Sequence, residues 1–315
     1  PSKGRLQEQA AEFFRDCGLP LSQDGGARGY TASFRAMPEI DVRLISAGEI
    51  ARALKVGEIH AGIVGEDGLR ENDPDLSSSF LIKKLGFGRA DLVVAAPDAW
   101  LDVATMADFA EVARLHRNRT GERLRVATKY LNLAHRFLDA RGVADYRLVE
   151  SAGATEGAPA SGLAEAVVDI TTTGATLAAN HLRVLSDGVI LKSEANLAVS
   201  RVRPWGGEAR ESFKALLDVI QARSRAKEVR LLRLAPGPQG AEPMIARAAQ
   251  LGCKLAGSPE GALLELYCPA ENVFAVCSAL QGLIGGSIGV FEADFVFEQP
   301  NMLIRAFEIS LRSQS

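Results

Sequence analysis

The residues best suited to chemistry stand at the end of a short apolar run, where an acid and several hydroxyls surround one glycine. Val167 and Val168 predict a buried strand, and Asp169 follows directly after them. A carboxylate in that place can accept hydrogen bonds from ribose hydroxyls, and Gly174 lets the backbone come close to a ligand. Hydroxyl and backbone N–H groups come from Thr171, Thr172, Thr173, Ala175 and Thr176. We therefore predict that residues 169–176, which we call the threonine loop, bind a sugar phosphate.

The segment that follows, residues 176–185, has the spacing of a helix. A helix there would direct the positive end of its dipole at the same phosphate. A purely structural interpretation stays open, because Thr171, Thr172 and Thr173 are also good N-cap residues for a helix.

The chain around this loop predicts an α/β fold with two lobes. Helix-like and strand-like runs alternate through residues 1–97 and again through residues 98–188, where the predicted helices include 162–166 and 176–185. Such alternation is typical of sheets covered by helices. Strand-like runs after residue 188 return towards the first stretch, so we predict lobe I as residues 1–97 with 189–224 and lobe II as residues 98–188. A cleft between two such lobes is a common ligand site.

Residues 225–315 have a different pattern. Their strand-like and helix-like runs follow the order βαββαβ, which predicts a ferredoxin-like domain. Small domains of this shape can bind an allosteric effector, as ACT-like domains do. A plain oligomerisation domain is the alternative, because this region contains no ligand motif.

Length and composition exclude several classes of protein. The 315 residues suffice for two or three domains, and the net charge of −3 argues against nucleic acid as the main partner. We find neither an apolar run long enough for a membrane span nor a signal peptide, and we expect a cytoplasmic protein. The four cysteines form no CxxC pair and the four histidines no metal motif, so we expect reduced core cysteines and no metal ion held by the protein alone.

Several segments together carry a family resemblance. The pattern that runs from Glu156 through Gly162 and the Val-Val-Asp strand end to Thr-Gly-x-Thr-Leu resembles the signature of ATP phosphoribosyltransferase, the enzyme that opens histidine biosynthesis. Residues 3–6 (Lys-Gly-Arg-Leu), 62–71, 85–97 and 125–133 are similar to further segments of that family, in the same order. Residues 225–315 look like the C-terminal domain of its long form, although the catalytic part is closer to a short-form branch.

The resemblance implies a fold, a reaction and a set of residues. The implied fold is a two-lobed, periplasmic-binding-protein-like catalytic part, and the implied reaction transfers the phosphoribosyl group of phosphoribosyl pyrophosphate to N1 of ATP, with Mg²⁺ on the substrates. The implied catalytic residues are Asp169, Glu156, Lys3 and Arg5, and the implied ATP-binding residues are Arg5, Asp67, Lys129 and Tyr130. The family also implies feedback inhibition by histidine and a homo-oligomer, with a hexamer as one possibility.

Structural interpretations remain open for several of these residues. In the family an apolar strand precedes Lys3 and would aim Lys3 and Arg5 at the cleft, but both could be solvated charges. Glu156 and Asp67 could be acids in the first turn of a helix, and Lys129 with Tyr130 could lie on a solvated loop. Residues 46–50 lack the arginine-acid run of many relatives, so we assign no ATP contact there.

Three other functions compete with this interpretation. A two-lobed small-molecule-binding protein shares the architecture, and a catalytically silent regulatory subunit shares the family pattern. A salvage-type phosphoribosyltransferase would carry two adjacent acids before its Thr-Gly-Gly-Thr turn, whereas Ile170 follows Asp169 here.

Overall fold

The computed structural model describes residues 1–23, 30–151, 153–258 and 262–312. The chain divides into two compact units. Residues 1–15, 20–206 and those from 310 onward belong to the first unit, and residues 16–19 with 207–309 form the second. None of the described helices is long and apolar enough to cross a membrane.

The first unit contains the helices and strands that precede residue 207. Its helices are α1 (Gly4–Asp16), α2 (Ala47–Val56), α3 (Glu66–Asn72), α4 (Met106–Thr120), α5 (Leu131–Ala140) and α6 (Ala175–Ala179). Its strands are β1 (Leu21–Gln23), β2 (Thr31–Phe34), β3 (Met37–Arg43), β4 (Ala61–Gly65), β5 (Ser79–Lys84), β6 (Ala90–Pro97), β7 (Leu124–Thr128), β8 (Tyr146–Glu150), β9 (Ala166–Thr171), β10 (Leu182–Ser193) and β11 (Ala195–Ser200).

These strands form three sheets. The order β4-β11-β5 makes an antiparallel sheet that we call the small-lobe sheet, and the order β10-β6-β9-β7-β8 makes the large-lobe sheet. A third sheet, β1-β2-β3, is antiparallel. The long strand β10 leads directly into β11, so the chain returns from the large-lobe sheet to the small-lobe sheet. The predicted α/β fold with two lobes is confirmed.

The core of the large lobe forms where the strands present apolar side chains to two helices. Leu92, Val126 and Val168 are fully buried on neighbouring strands and belong to one cluster with Phe109 of α4 and Leu138 of α5. Each such side chain contributes roughly 1.5–3 kcal/mol by leaving water. Helices α4 and α5 present an apolar face at helical spacing, which is why they cover the sheet.

Strand direction in this sheet determines where a site can form. Strand β7 pairs in parallel with β9, with Val126 opposite Ala166 and Ala127 opposite Val167. The carboxyl ends of β7 and β9 therefore lie side by side, and the loops that follow them meet at one edge of the sheet.

The second unit confirms the predicted βαββαβ order. After helix α7 (Gly207–Glu228) come β12 (Val229–Pro236), α8 (Glu242–Gln250), β13 (Lys254–Leu255), β14 (Leu264–Pro269), α9 (Val273–Leu280), β15 (Ile284–Phe291) and α10 (Met302–Arg312). The four strands form an antiparallel sheet in the order β13-β14-β12-β15, as in ferredoxin-like domains. Helix α10 was not among the predicted elements.

The predictions of two helices, over residues 176–185 and 162–166, are wrong. Residues 176–185 do not form one helix: α6 ends after five residues, His181 takes a left-handed φ of 56°, and β10 begins at Leu182. Pairing of β10 with β6 overrides the helical spacing of this segment. Residues 162–166 form a turn and the start of β9, and Gly162 has a left-handed φ of 71°. The lobe boundaries and the domain start at residue 225 stay predictions.

Candidate functional site

The threonine loop is a tight turn built on β9. Its first hydroxyl, Thr171 Oγ1, accepts a hydrogen bond from the backbone N–H of Gly174 at 2.8 Å. Gly174 has a φ of 78°, a conformation that other residues adopt only with strain. Thr173 Oγ1 accepts a long hydrogen bond of 3.4 Å from the N–H of Ala175. The turn is thus stabilised by hydrogen bonds between its own residues, and Thr172, Thr173, Ala175 and Thr176 remain exposed.

The neighbouring strand β6 supports the loop from one side. Asp91 of β6 lies opposite Thr171 in the sheet, and Thr172 Oγ1 donates to the carbonyl oxygen of Arg89 at 3.4 Å. Arg89 directly precedes β6 and is exposed. The sequence patterns used above did not single out Arg89, because only the strand pairing brings it to the loop.

The helix after the loop is too short for the predicted role. Helix α6 has five residues, and Gly174 caps it without a side-chain hydrogen bond. A macrodipole needs several aligned turns, so α6 contributes little beyond its own first N–H groups. The prediction that a long helix directs its dipole at the phosphate is therefore wrong.

Asp169 is a half-buried acid at the base of the loop. Its Oδ1 accepts a hydrogen bond from the N–H of Ile170 at 2.8 Å. Burial raises the pKa of Asp169; the Ile170 bond and the positive charge of Lys129 oppose this, and the negative charge of Glu156 adds to it. Glu156 lies in a single 3-10 turn, Thr155–Gly157, and is half-buried. The structure thus brings together the three predicted residues Asp169, Glu156 and Lys129.

A second group of polar residues forms around Tyr130, which is only 4% exposed. Its hydroxyl donates to Asp67 Oδ2 at 2.6 Å, and Ser193 Oγ donates to Asp67 Oδ1 at 2.7 Å. Burial and the negative charge of Asp67 raise the pKa of Tyr130, so the phenol stays protonated. Lys129 Nζ lies 5.0 Å from the centre of the Tyr130 ring, within range of a cation–π contact.

Elements from both lobes position this group. Asp67 is in the first turn of α3, which follows β4, and Tyr130 precedes α5, which follows β7. Ser193, at the end of β10, was not singled out from the sequence, because it lies 126 positions from Asp67 and only the fold brings the two together. The predicted residues Asp67, Lys129 and Tyr130 are therefore neighbours, and Lys129 links them electrostatically to Asp169.

Lys3 and Arg5 are not joined to this arrangement. Both are exposed at the start of α1. Lys3 adds only a minor effect to the lowered pKa of Glu49, whose main cause is the hydrogen bond with Ser46. Their roles stay predictions.

Among the described residues, no group of three His, Cys, Asp or Glu side chains is arranged to hold a metal ion. Asp169 lies in the threonine loop, Glu156 acts on it electrostatically, and Asp91 lies opposite Thr171. Carboxylates of this kind suit the water shell of a Mg²⁺ ion that a phosphate ligand carries.

Comparison with known proteins identifies relatives of the whole chain. The family model for ATP phosphoribosyltransferase matches residues 46–222. The ATP phosphoribosyltransferase of Caulobacter vibrioides is 48% identical over 315 residues, which cover 100% of this chain and 97% of that relative. The enzyme of the same name from Bradyrhizobium diazoefficiens is 46% identical, with coverage of 99% and 97%.

A solved structure shares the fold of the larger part of the chain. It is the ATP phosphoribosyl transferase (HisG:HisZ) complex from Thermotoga maritima, with a TM-score of 0.54 and 24% identity. The match covers 70% of this chain and 93% of that chain.

The raised pKa of Asp169 predicts that this acid reduces stability. The folded state disfavours the charged carboxylate, so Asp169→Asn should raise Tm at pH 8 by roughly 1–4 °C. The gain should be present above the folded-state pKa and disappear as the pH falls to the ordinary carboxyl range, where both states are protonated. Scanning calorimetry at several pH values measures this, with the exposed acid Asp102, as Asp102→Asn, for control. A lower Tm for Asp169→Asn at every pH would contradict it.

Proposed function

The chain belongs to the ATP phosphoribosyltransferase family and is an enzyme of the first step of histidine biosynthesis, and we propose that its threonine loop binds the phosphoribosyl group that this reaction transfers. Family membership over the full length favours the enzyme over the binding-protein and regulatory-subunit alternatives. The observation that supports the loop's role is the turn itself, in which Thr171 holds the left-handed Gly174 and leaves Thr172, Thr173 and Thr176 exposed. Such a turn suits the oxygens of a 5-phosphate.

The reaction joins two substrates without a protein nucleophile. The lone pair on N1 of the adenine ring attacks C1 of phosphoribosyl pyrophosphate while the bond from C1 to pyrophosphate breaks and its electrons leave with the pyrophosphate. Positive charge develops on the ribose ring in the transition state. The protein therefore contributes by positioning the two substrates and by electrostatic stabilisation.

Asp169 carries the central role on the sugar side. Its half-buried carboxylate stands at the base of the threonine loop. In this proposal it accepts hydrogen bonds from the ribose hydroxyls. Its negative charge also favours the positive charge that develops on the ribose. Glu156 lies close enough to raise the Asp169 pKa and adds a second acid to the same side.

The nucleotide side is assigned to the group around Tyr130. Lys129 supplies a positive charge for the ATP phosphates, and the Tyr130 ring, whose hydroxyl is bonded to Asp67, lies beside it. Lys3 and Arg5 are proposed to meet the pyrophosphate or ATP oxygens, because a guanidinium fork and an ammonium group both suit phosphate. Mg²⁺ arrives with the polyphosphates and neutralises them, and Asp169 and Glu156 can receive hydrogen bonds from its water shell.

The second unit is proposed to control the enzyme and to assemble it. Its βαββαβ sheet has the form of small effector-binding domains. A histidine-sensitive homo-oligomer, with a hexamer as one candidate, is therefore the proposed form of the protein. A cytoplasmic location agrees with the substrates, since ATP and phosphoribosyl pyrophosphate are metabolites of the cytoplasm.

The activity is tested by mixing the protein with ATP, phosphoribosyl pyrophosphate and Mg²⁺ and following both pyrophosphate release and the ultraviolet change of N1-substituted adenine. Wild type should turn over, and Asp169→Asn should lose about 10- to 100-fold in kcat/KM, the effect of one charged hydrogen bond. Asp102→Asn should retain wild-type kinetics. If Asp169→Asn also retains them, Asp169 only supports the turn, and the proposed role is refuted.

Feedback control is tested in the same assay with added histidine. Histidine should suppress turnover of the wild type, and it should raise Tm in the absence of substrates because a ligand that binds only the folded state stabilises it. If histidine changes neither turnover nor Tm, the second unit does not bind histidine, and its proposed role is limited to assembly of the oligomer. The enzyme assignment would then stand without the feedback proposal.

A further inference from the structure

Helix α3 of the small lobe contacts the start of helix α5 of the large lobe through acidic side chains. Leu69 of α3 packs in the small-lobe cluster with residues of β4 and β11, whereas Leu138 of α5 packs in the large-lobe core. The acids are Asp67 and Glu71, one turn apart on α3, and Asp75, just past its end. We call these three residues the acidic edge. The contact therefore joins elements of two different sheets.

Glu71 is the central residue of the acidic edge. Its Oε1 accepts the N–H of Asn132 at 2.8 Å, and its Oε2 accepts the N–H of Leu133 at 3.0 Å. The side-chain amide of Asn132 donates in turn to the backbone carbonyl of Glu71 at 2.9 Å. Burial raises the pKa of Glu71 although these N–H donors lower it, which shows that the carboxylate is partly withdrawn from water.

Glu71 performs for α5 the task that an N-cap side chain usually performs. The N-cap residue of α5 is Tyr130, which offers no side-chain hydrogen bond to the helix. The N–H groups of the second and third helical residues would then lack a partner. Glu71 satisfies both from another helix, and its negative charge is favourable at the positive end of α5.

The two outer acids extend the contact in both directions. Asp67 accepts the hydroxyl of Tyr130, and Asp75 forms a two-point ion pair with Arg136 at 2.8 and 3.1 Å. The Arg136 and Asp75 side chains are 53% and 73% exposed, so water weakens that pair. Glu71 is thus the member whose loss would free the first turn of α5.

We infer that Glu71 is a positioning residue of the enzyme, which holds the turn of Lys129 and Tyr130 in place for the nucleotide. The inference deepens the proposed function and rests on it. Lys129 and Tyr130 directly precede α5, so the first turn of that helix determines where they lie. Because Glu71 belongs to the other lobe, it ties that turn to the small lobe. The hydrogen bonds shown for Glu71 go to Asn132 and Leu133 and not to the threonine loop, so the loop should keep its affinity for phosphoribosyl pyrophosphate.

The test compares Glu71→Gln with Glu49→Gln. Glutamine keeps one acceptor but sets its NH₂ group against the second N–H donor of α5. Glu49 is the matched control, because its carboxylate accepts the N–H of Ser46 and so caps its own helix α2 within the small lobe. Glu71→Gln should raise KM for ATP about tenfold, with KM for phosphoribosyl pyrophosphate within about twofold. Glu49→Gln should leave both constants within about twofold.

Two further variants separate positioning from folding. Glu71→Asp keeps the charge and should recover part of the ATP affinity. Asn132→Ala removes only the exposed amide that donates to the Glu71 carbonyl, so it should fold normally and raise KM for ATP by a smaller factor, about two- to fivefold. This variant keeps the inference testable if Glu71→Gln does not fold.

The outcomes distinguish the positioning role of Glu71 from the proposed function of the enzyme. A selective rise in KM for ATP in Glu71→Gln and Asn132→Ala, absent from Glu49→Gln, supports the positioning role. Unchanged kinetics in Glu71→Gln, equal losses for both substrates, or an equal loss in Glu49→Gln would overturn it and leave the enzyme assignment intact. Absence of turnover in the wild type would overturn the proposed function and the inference together.

Discussion

The parallel pairing of β7 with β9 is the constraint on which the rest of the site depends. Strands β7 and β9 run side by side in one direction, so Lys129 and Tyr130, which follow β7, lie next to the end of β9, which carries Asp169. The buried apolar residues of both strands and of helices α4 and α5 keep this register, since a slip of one residue would turn the core side chains outward. Hydrophobic packing of the core therefore determines the positions of the polar residues at the edge.

Asp169 at that edge reduces stability in a way that a binding site explains, because it carries its charge where burial disfavours it. An unfavourable feature of this kind persists where a ligand benefits from it, and the surrounding core offsets its cost. Gly174 supplies the left-handed backbone conformation that the turn needs and that only glycine takes without strain. Both residues belong to the segment that resembles the family signature.

Sequence reasoning succeeded where the signal was local. The βαββαβ order of the second unit and the turn that follows Val167 and Val168 could be predicted, because hydrophobic period and turn chemistry depend on neighbouring residues. The binding roles of the threonine loop and of the lysine and tyrosine after β7 stay predictions. Sequence reasoning failed where distant pairing decided the outcome. Residues after Leu182 have helical spacing but form a strand, because β6 offers them an edge to pair with. Ser193 and Glu71 were not singled out, because only the fold brings them to partners 126 and 61 positions away.

Hydrogen exchange of the threonine loop with and without Mg²⁺ and phosphoribosyl pyrophosphate tests the central claim most directly. Exposed backbone N–H groups in residues 171–176 should exchange more slowly when the phosphoribosyl group binds, because its phosphate oxygens would accept their hydrogen bonds. The amides of α4, which lie outside the proposed site, should exchange at an unchanged rate. Unchanged exchange in residues 171–176 under conditions where the ligand binds, with protection elsewhere in the chain, would show that the loop is only a structural turn and that the substrate binds at another place.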